Sequence, residues 1–273
     1  MVPLLSIHDL EVSFPVAREW TPVVCGVSLA IGRGELVGLV GESGSGKSLT
    51  ALAVLGLVPP PGRVTGGSVR LAGPGGPLDL LKLPAREMRR VRGGRIGMVF
   101  QEPATAFDPV YTIGFQIAEA VRAHRRVSSR EAREEAVRLL DRVALADARR
   151  RLGDYPHQLS GGQRQRAMIA MALAGGPELL LADEPTTGLD VTLQAQVLEL
   201  LEGLRRDLGL SVLLITHDLG VVAETCDRVA VMRAGRVVEE AEVGALFRAP
   251  AHPYTRELLA AVPRLPSPEG ESA

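Results

Sequence analysis

The sequence predicts an α/β fold with an antiparallel β region at its N-terminus and a helical subdomain inserted into the α/β core. Two patterns indicate the core: an apolar strand leads through a glycine-rich loop into a helix, and strands alternate with helices again in the second half of the chain. A third pattern is the stretch 103–158, where helical spacing interrupts the strands. Hydrophobic residues make up 46% of the 273 residues, which is enough for a substantial core.

The N-terminal β region is predicted from short apolar or alternating segments, which are separated by turn residues such as Gly32-Arg33-Gly34. Strands are expected at 4–14, 23–31 and 36–40. The Gly- and Pro-rich stretch 62–77 is expected to form loops around one short strand at 68–71.

The strand at 36–40 runs directly into a glycine-rich loop, and a helix is expected after it, at 49–57. The loop reads Gly41-Glu42-Ser43-Gly44-Ser45-Gly46-Lys47-Ser48. This is the pattern of a P-loop: backbone N–H groups converge on phosphate oxygens, the lysine reaches the β- and γ-phosphates, and the serine hydroxyl binds Mg²⁺. Of 31 basic residues only Lys47 and Lys82 are lysines, so this loop position favours a compact ammonium group. A nucleotide site is therefore predicted.

Two acidic residues follow another apolar strand. This strand is expected at 179–182, and Asp183 and Glu184 come directly after it. A carboxylate at the end of such a strand can hold Mg²⁺ beside a P-loop, and we assign this role to Asp183. Glu184 would then act as the general base that polarises the attacking water.

A capping box opens a helix between these two motifs. Its residues are Ser160, Gly161, Gly162 and Gln163, and Gly175-Gly176-Pro177 is expected to end the helix. The exposed N-terminus of a helix also favours anions, so the same residues are suited to a phosphate group.

The remaining segments divide the chain into parts. Ser128 and Glu131 form a capping box at the start of a helix in the insertion, and a hairpin is expected to turn at Ala234-Gly235. The predicted parts are a discontinuous core of 1–102 and 159–245, the inserted subdomain 103–158, and a C-terminal tail of 246–273.

Composition excludes several classes of function. The net charge of −1 argues against a surface for nucleic acid. Cys25 and Cys226 stand alone, which excludes a disulfide framework and fits the cytoplasm. The longest apolar segment, 49–58, has about half the length that a bilayer requires. Any role at a membrane is therefore expected to depend on a partner protein.

Together, the P-loop, Leu159-Ser160-Gly161-Gly162-Gln163 and the strand that ends in Asp183-Glu184 resemble the ATP-binding cassette (ABC) subunits that drive membrane transporters. The resemblance extends from residue 4 to about residue 263. It implies ATP and Mg²⁺ as cofactors and Lys47, Glu184 and His217 as catalytic residues. It also implies a head-to-tail dimer in which residues 160–163 act on the ATP of the second subunit.

The same resemblance implies further roles. His217 would contact the γ-phosphate, and Gln101 would touch Mg²⁺ and sense the transmembrane partner. Phe14 would stack on adenine, although Trp20 lies close enough in sequence to compete for that role. Mg²⁺ would be held by Ser48, Gln101 and Asp183. The expected ATP-binding residues are Phe14, Gly41, Glu42, Ser43, Gly44, Ser45, Gly46, Lys47, Ser48, Leu49 and Gln101.

Two stretches resemble the branch of the family that imports peptides and nickel: 101–109, and the tail segment 247–255 with its His-Pro-Tyr-Thr element. The implied partners are integral-membrane permease subunits, a second ATP-binding subunit (identical or paralogous) and, indirectly, an extracytoplasmic solute-binding protein. The implied location is the cytoplasmic face of the membrane. Asp108 stands where asparagine is common, and the cargo stays open among dipeptides, oligopeptides and nickel.

The start of the insertion is expected to contact the permease, because Phe107, Pro109 and Tyr111 lie there in a chain with only 3% aromatic residues. The alternative is that these side chains pack the insertion against the core. Two other functions are weighed for the whole chain. A soluble ABC ATPase of translation or DNA repair would show tandem cassettes or a long coiled coil, and a regulatory module without turnover would not need Glu184 and His217.

Overall fold

The computed structural model of the protein describes residues 2–17 and 19–261, and its strands form two sheets. The antiparallel sheet contains β1 (Leu5–Val16), β2 (Glu19–Ile31), β4 (Arg63–Leu71) and β5 (Leu78–Asp79) in the order β2-β1-β4-β5. The mainly parallel sheet contains β3 (Leu36–Val40), β6 (Ile96–Val99), β7 (Leu179–Asp183), β8 (Ser211–Thr216), β9 (Arg228–Arg233) and β10 (Arg236–Glu242) in the order β10-β9-β3-β8-β7-β6. The predicted α/β fold with an N-terminal antiparallel region is confirmed.

Helices cover the faces of the parallel sheet and fill the insertion. They are α1 (Lys47–Val54), α2 (Ala85–Val91), α3 (Pro103–Ala106), α4 (Ile113–His124), α5 (Ser129–Arg142), α6 (Ala148–Arg151), α7 (Gly161–Ala172), α8 (Val191–Leu208), α9 (Leu219–Thr225), α10 (Val243–Arg248) and α11 (Pro253–Ala261). Among the described residues, none of these helices combines the length and the apolar character needed to cross a membrane. Residues 262–273 of the predicted tail lie outside the described residues.

Strand β4 is longer than the sequence predicts. It begins at Arg63 rather than at residue 68, although it contains Gly66 and Gly67. The reason is tertiary pairing: β1 pairs with β4 from Leu5↔Leu71 to Ser13↔Arg63. Gly67 adopts a φ of +88°, a conformation that favours glycine, where the pairing register shifts.

The parallel strands β3, β7 and β8 are buried at every residue, as expected for apolar strands covered on both faces of a sheet. Leu179 and Leu181 of β7 contribute to the core between the two sheets, whereas Leu180 and Ala182 contribute to the core on the opposite face. This second core continues into the insertion, where it includes buried residues of α4 and α5 such as Ile117. The inserted helices therefore share one apolar core with α7, α8 and the sheet.

Strands β3, β8, β7 and β6 run parallel, so their carboxyl ends meet at one edge of the sheet. The P-loop follows β3, Asp183 ends β7, His217 follows β8, and Gln101 lies two residues after β6. Ligands of open α/β sheets bind in the crevice outside the carboxyl ends of the strands. The topology thus gathers these sequence-distant residues at one place.

Candidate functional site

The P-loop surrounds the side chain of Lys47, which is only 4% exposed. Its ammonium nitrogen donates hydrogen bonds to the carbonyl oxygens of Gly41, at 2.7 Å, and Glu42, at 2.9 Å. Burial lowers the pKa of Lys47, while the nearby charges of Glu184 and Asp183 oppose this shift. The ammonium group is therefore held by the loop backbone at the carboxyl edge of the sheet.

Two positions of the loop must be glycine because a neighbouring strand leaves no room for a side chain. The sequence pattern did not show which strand this would be. Gly41 adopts a φ of +153°, and a Cβ atom there would collide with the carbonyl oxygen of Met232 at the end of β9. Gly46 adopts a φ of +104°, and a Cβ atom there would lie 2.9 Å from Cε of Met232. Strand β9 thus fixes the loop from behind, whereas Glu42, Ser43 and Gly44 form its exposed rim.

The end of β7 adjoins the loop. The hydroxyl of Ser48 donates a hydrogen bond to Oδ1 of Asp183 at 2.8 Å. Burial raises the pKa of Asp183, which is 5% exposed; the bond from Ser48 opposes this shift and the charge of Glu184 adds to it. A hydroxyl and a carboxylate beside a phosphate-binding loop are the hard oxygen donors that Mg²⁺ prefers.

Glu184 is the meeting point of three side chains. Its Oε2 accepts hydrogen bonds from Nε2 of Gln101, at 3.0 Å, and from the hydroxyl of Thr187, at 2.8 Å. Its Oε1 lies 3.3 Å from Nδ1 of His217. The backbone φ of Glu184 is +46°, a conformation that costs a non-glycine residue about 1 kcal/mol or more. The carboxylate is thus oriented by the ends of three different strands.

Thr187 is a site residue that sequence reasoning missed. It lies in the turn after β7, where its N–H donates to the carbonyl of Glu184 at 3.1 Å. This turn folds the Thr187 hydroxyl back onto the carboxylate of Glu184. The sequence did contain a signal for this contact: a residue with a hydroxyl group lies three positions after the acidic residue that follows the strand.

The capping box at residues 160–163 is present as the sequence predicts. The hydroxyl of Ser160 accepts from the N–H of Gln163 at 3.3 Å, and Oε1 of Gln163 accepts from the N–H of Ser160 at 3.0 Å. Within the described residues, no hydrogen bond joins this segment to the P-loop. A Cβ atom on Gly161 would meet only Leu189 Cδ2, at 3.8 Å, so this helix end is open, whereas Gly162 is buried.

The two adenine-stacking candidates have different surroundings. The Phe14 ring is half-buried and lies against Gly62, where a Cβ atom would overlap the ring. Trp20 is 42% exposed, and the guanidinium carbon of Arg63 lies 3.6 Å from its ring centroid. Leu49 is half-buried on α1 and packs, like Phe14, against the core between the sheets. Both aromatic residues stay candidates.

The expectation that Phe107 lies on a docking surface is wrong. Its side chain is 3% exposed and belongs to the core that joins the insertion to the sheet, so the packing alternative holds for this residue. The aromatic surface instead consists of Tyr111 and Phe115, which are 47% and 49% exposed and whose rings stack at 4.9 Å. Apolar character alone did not distinguish the buried ring from the exposed one.

This arrangement is that of a nucleoside-triphosphatase of the P-loop class. It combines a P-loop, a carboxylate that accepts a hydrogen bond from the serine of the loop, and a second carboxylate held at the ends of three strands. The family model described as "ABC transporter" matches residues 24–187, and the model described as "Oligopeptide/dipeptide transporter, C-terminal region" matches residues 238–272. The chain belongs to the ABC transporter family, within which it is an ATP-binding, ATP-hydrolysing subunit.

Similar proteins agree with this assignment. A protein of Sinorhizobium fredii named as a peptide ABC transporter ATP-binding protein is 55% identical over 95% of this chain and 77% of its own length. A protein of Brucella melitensis named as a peptide import ATP-binding protein is 54% identical over 96% of this chain and 78% of its own.

Solved structures agree as well. The dimeric post-hydrolysis state of the ATP-binding cassette MJ0796 with ADP and Pi has a TM-score of 0.76 and 30% identity, covering 88% of this chain and 98% of that one. A cassette from Clostridium perfringens, described as part of an ABC transporter complex, has a TM-score of 0.76 and 25% identity, covering 91% and 92%. The resemblance inferred from the motifs is confirmed, and nothing in these comparisons supports a role in translation or DNA repair.

Proposed function

We propose that this subunit couples ATP hydrolysis to peptide import, at the cytoplasmic face of a membrane and in complex with integral permease subunits. The observation that carries the cargo class is the tail at 238–272, which matches the C-terminal region of oligopeptide and dipeptide transporters. The names of the relatives from Sinorhizobium fredii and Brucella melitensis support the same cargo. An extracytoplasmic solute-binding protein would deliver the peptide to the permease.

In this proposal the loop 41–48 binds the phosphates of ATP. The Lys47 ammonium would exchange its two carbonyl acceptors, Gly41 and Glu42, for oxygens of the β- and γ-phosphates. Because Lys47 is already buried beside the loop, little side-chain freedom is left to lose on binding. Phe14 or Trp20 would stack on the adenine ring.

The proposed magnesium ligands are Ser48, Asp183 and the amide oxygen of Gln101. Mg²⁺ commonly binds one or two carboxylates together with substrate phosphates and water, and the oxygen donors at the carboxyl edge of the sheet match that preference. The bound ion would neutralise charge on the phosphates. The hydrogen bond from Ser48 to Asp183 already holds two of these donors within 2.8 Å of each other.

Glu184 is proposed as the general base for the attacking water. Gln101 and Thr187 would aim its carboxylate through their hydrogen bonds, and His217 would reach the γ-phosphate from the end of β8. Because Gln101 and His217 are exposed, both can respond to nucleotide and to a second subunit.

A second ATP-binding subunit is proposed to complete the site. The open N-terminus of α7 (160–163) would bind the γ-phosphate of the ATP held by the other subunit, in a head-to-tail dimer. Its exposed Gly161 allows a phosphate to approach the backbone. The dimeric state of the solved cassette MJ0796 supports this arrangement.

We propose Val110, Tyr111 and Phe115 as the permease contact. They are 69%, 47% and 49% exposed, and they follow Gln101 closely in the chain. Gln116 braces the loop that contains Val110 and Tyr111, because its amide nitrogen donates to the carbonyls of Asp108, at 2.9 Å, and Tyr111, at 3.0 Å. The domain boundaries proposed from the sequence (core 1–102 and 159–245, insertion 103–158, tail 246–273) assign this contact to the insertion.

Uptake assays in cells that lack this subunit test the proposal. Import of labelled dipeptides or oligopeptides should fall to background, return with the intact chain, and stay at background with Lys47→Ala. Unchanged peptide uptake with reduced nickel uptake would redirect the cargo to nickel. Co-purification with ribosomes or DNA, and not with a membrane protein, would overturn the proposed role in transport.

A further inference from the structure

The tail of the chain touches the P-loop. The N–H group of Glu42 donates a hydrogen bond to the phenolic oxygen of Tyr254, at 3.1 Å, across 212 positions of sequence. Tyr254 belongs to the tail element, His252-Pro253-Tyr254-Thr255, and is 1% exposed. Burial raises the pKa of Tyr254, so its hydroxyl stays neutral near physiological pH.

This contact is braced from several sides. The Tyr254 ring packs in a small apolar core with residues such as Val40 and Leu246, and the guanidinium carbon of Arg233 lies 4.5 Å from its centroid. The carboxylate of Glu239, on β10, accepts hydrogen bonds from the N–H groups just before α11. The donors are Ala251, at 2.7 Å, and His252, at 2.9 Å.

The contact bears on one peptide group of the loop. The peptide between Gly41 and Glu42 is held from both sides: its carbonyl accepts from Lys47 at 2.7 Å, and its N–H donates to Tyr254. If Lys47 turned to phosphate, the carbonyl would lose that partner, while the hydroxyl of Tyr254 would still hold the N–H. In that case Tyr254 would hold this peptide in place during nucleotide binding.

We propose that Tyr254 is a positioning residue for ATP, acting through Glu42 on the start of the P-loop, and that Glu239 holds Tyr254 in place by anchoring α11. This inference rests on the proposed role of the loop 41–48 in phosphate binding. The tail would then help to position the P-loop for ATP.

Replacing Tyr254 by Phe tests the proposal, because the buried ring is kept and only the hydroxyl is lost. Loss of one hydrogen bond corresponds to a rise of about threefold to tenfold in KM for ATP, with kcat within about twofold of the original. A purely structural role would reduce the fraction of active enzyme, which lowers apparent kcat and leaves KM unchanged. The matched control is Tyr155→Phe, on an exposed tyrosine 38% accessible, which should alter neither constant.

Two further variants separate the possible failures. Lys47→Ala should abolish ATP binding; normal binding by that variant would overturn the proposed role of the loop itself. If Lys47→Ala loses binding but Tyr254→Phe keeps the original KM, only the inference about Tyr254 fails.

Glu239→Ala should also raise KM, by about twofold to fivefold, because it frees the N–H groups before α11. Combined with Tyr254→Phe it should add little, since both changes release the same contact. Fully additive effects would contradict the proposal that Glu239 acts through Tyr254.

Discussion

The carboxyl edge of the parallel sheet and the N-terminus of α7 are both suited to phosphate, but they differ in what the chain itself provides. At the sheet edge, Lys47, Asp183 and Glu184 are buried or bonded to partners within the same chain. At α7, the capping box pairs Ser160 with Gln163 and leaves the helix end exposed. Contacts within this chain hold the groups of the sheet edge together. Among the described residues, by contrast, no hydrogen bond joins the N-terminus of α7 to the P-loop.

The difference is also electrostatic. Burial lowers the pKa of Lys47 and raises that of Asp183, so the sheet edge holds charges at a cost in stability. The end of α7 offers only backbone N–H groups and the helix dipole, which require no buried charge. The end of α7 is therefore expected to cost the isolated subunit little stability, whereas the proposed catalytic residues at the sheet edge lower its stability. Four substitutions test this difference between the two regions.

The largest expected effect is that of Glu184→Gln at the sheet edge. Loss of a general base reduces turnover by about a hundredfold or more. ATP binding should persist, because Gln retains an oxygen that can accept the hydrogen bonds from Gln101 and Thr187. Single-turnover kinetics and gel filtration should reveal slow hydrolysis and a trapped ATP-bound dimer. Hydrolysis at the original rate would remove Glu184 from the mechanism.

The next effect concerns the other region. Gly161→Glu places a carboxylate where the γ-phosphate of the partner is proposed to bind, and repulsion between like charges should reduce hydrolysis by about tenfold to a hundredfold. The monomer should fold and bind ATP normally, because a Cβ atom there meets only Leu189, at 3.8 Å. Equilibrium binding and sedimentation distinguish the regions: lost ATP binding by the monomer would mean that α7 acts within its own chain.

A smaller effect is expected at Thr187. Thr187→Ala removes one of the hydrogen bonds that orient Glu184 and should reduce kcat by about threefold to tenfold without changing KM. Thr187→Ser keeps the hydroxyl and should restore most of the rate. Equal losses in the alanine and serine variants would assign the effect to the methyl group and its packing.

The smallest effect is on stability. Because the raised pKa of Asp183 lets the native state bind a proton at higher pH than the unfolded chain, the free energy of unfolding falls as pH rises from the ordinary carboxyl pKa to the raised value. Asp183→Asn should therefore raise the melting temperature of the nucleotide-free subunit near pH 7 by about 2–4 °C.

Calorimetry at several pH values tests this effect on stability. The gain should shrink at acidic pH, below the ordinary carboxyl pKa, where Asp183 is protonated in both states. Asp190→Asn is the matched control, since Asp190 caps α8 by accepting from the N–H of Leu193 at 2.9 Å and asparagine caps equally well. A fall in melting temperature for Asp183→Asn would contradict the account.

The local motifs could be predicted from the amino-acid sequence. The strand at Leu36–Val40, the loop that follows it and the capping boxes at Ser128 and Ser160 depend on hydrogen bonds and apolar spacing within a few residues, so a linear pattern contains them. The order of strand, glycine loop and helix predicted a nucleotide site, and the family was predicted from that loop together with the segments 159–163 and 179–184.

Features that depend on contacts between distant segments could not be predicted in this way. The full length of β4 depends on its pairing with β1, and the burial of Phe107 on the core that it shares with α7. The bond from Thr187 to Glu184 needs the turn after β7, and that from Glu42 to Tyr254 spans most of the chain. Such contacts form only when the folded core brings the segments together. The number of residues between two positions does not determine the distance between them in the folded protein.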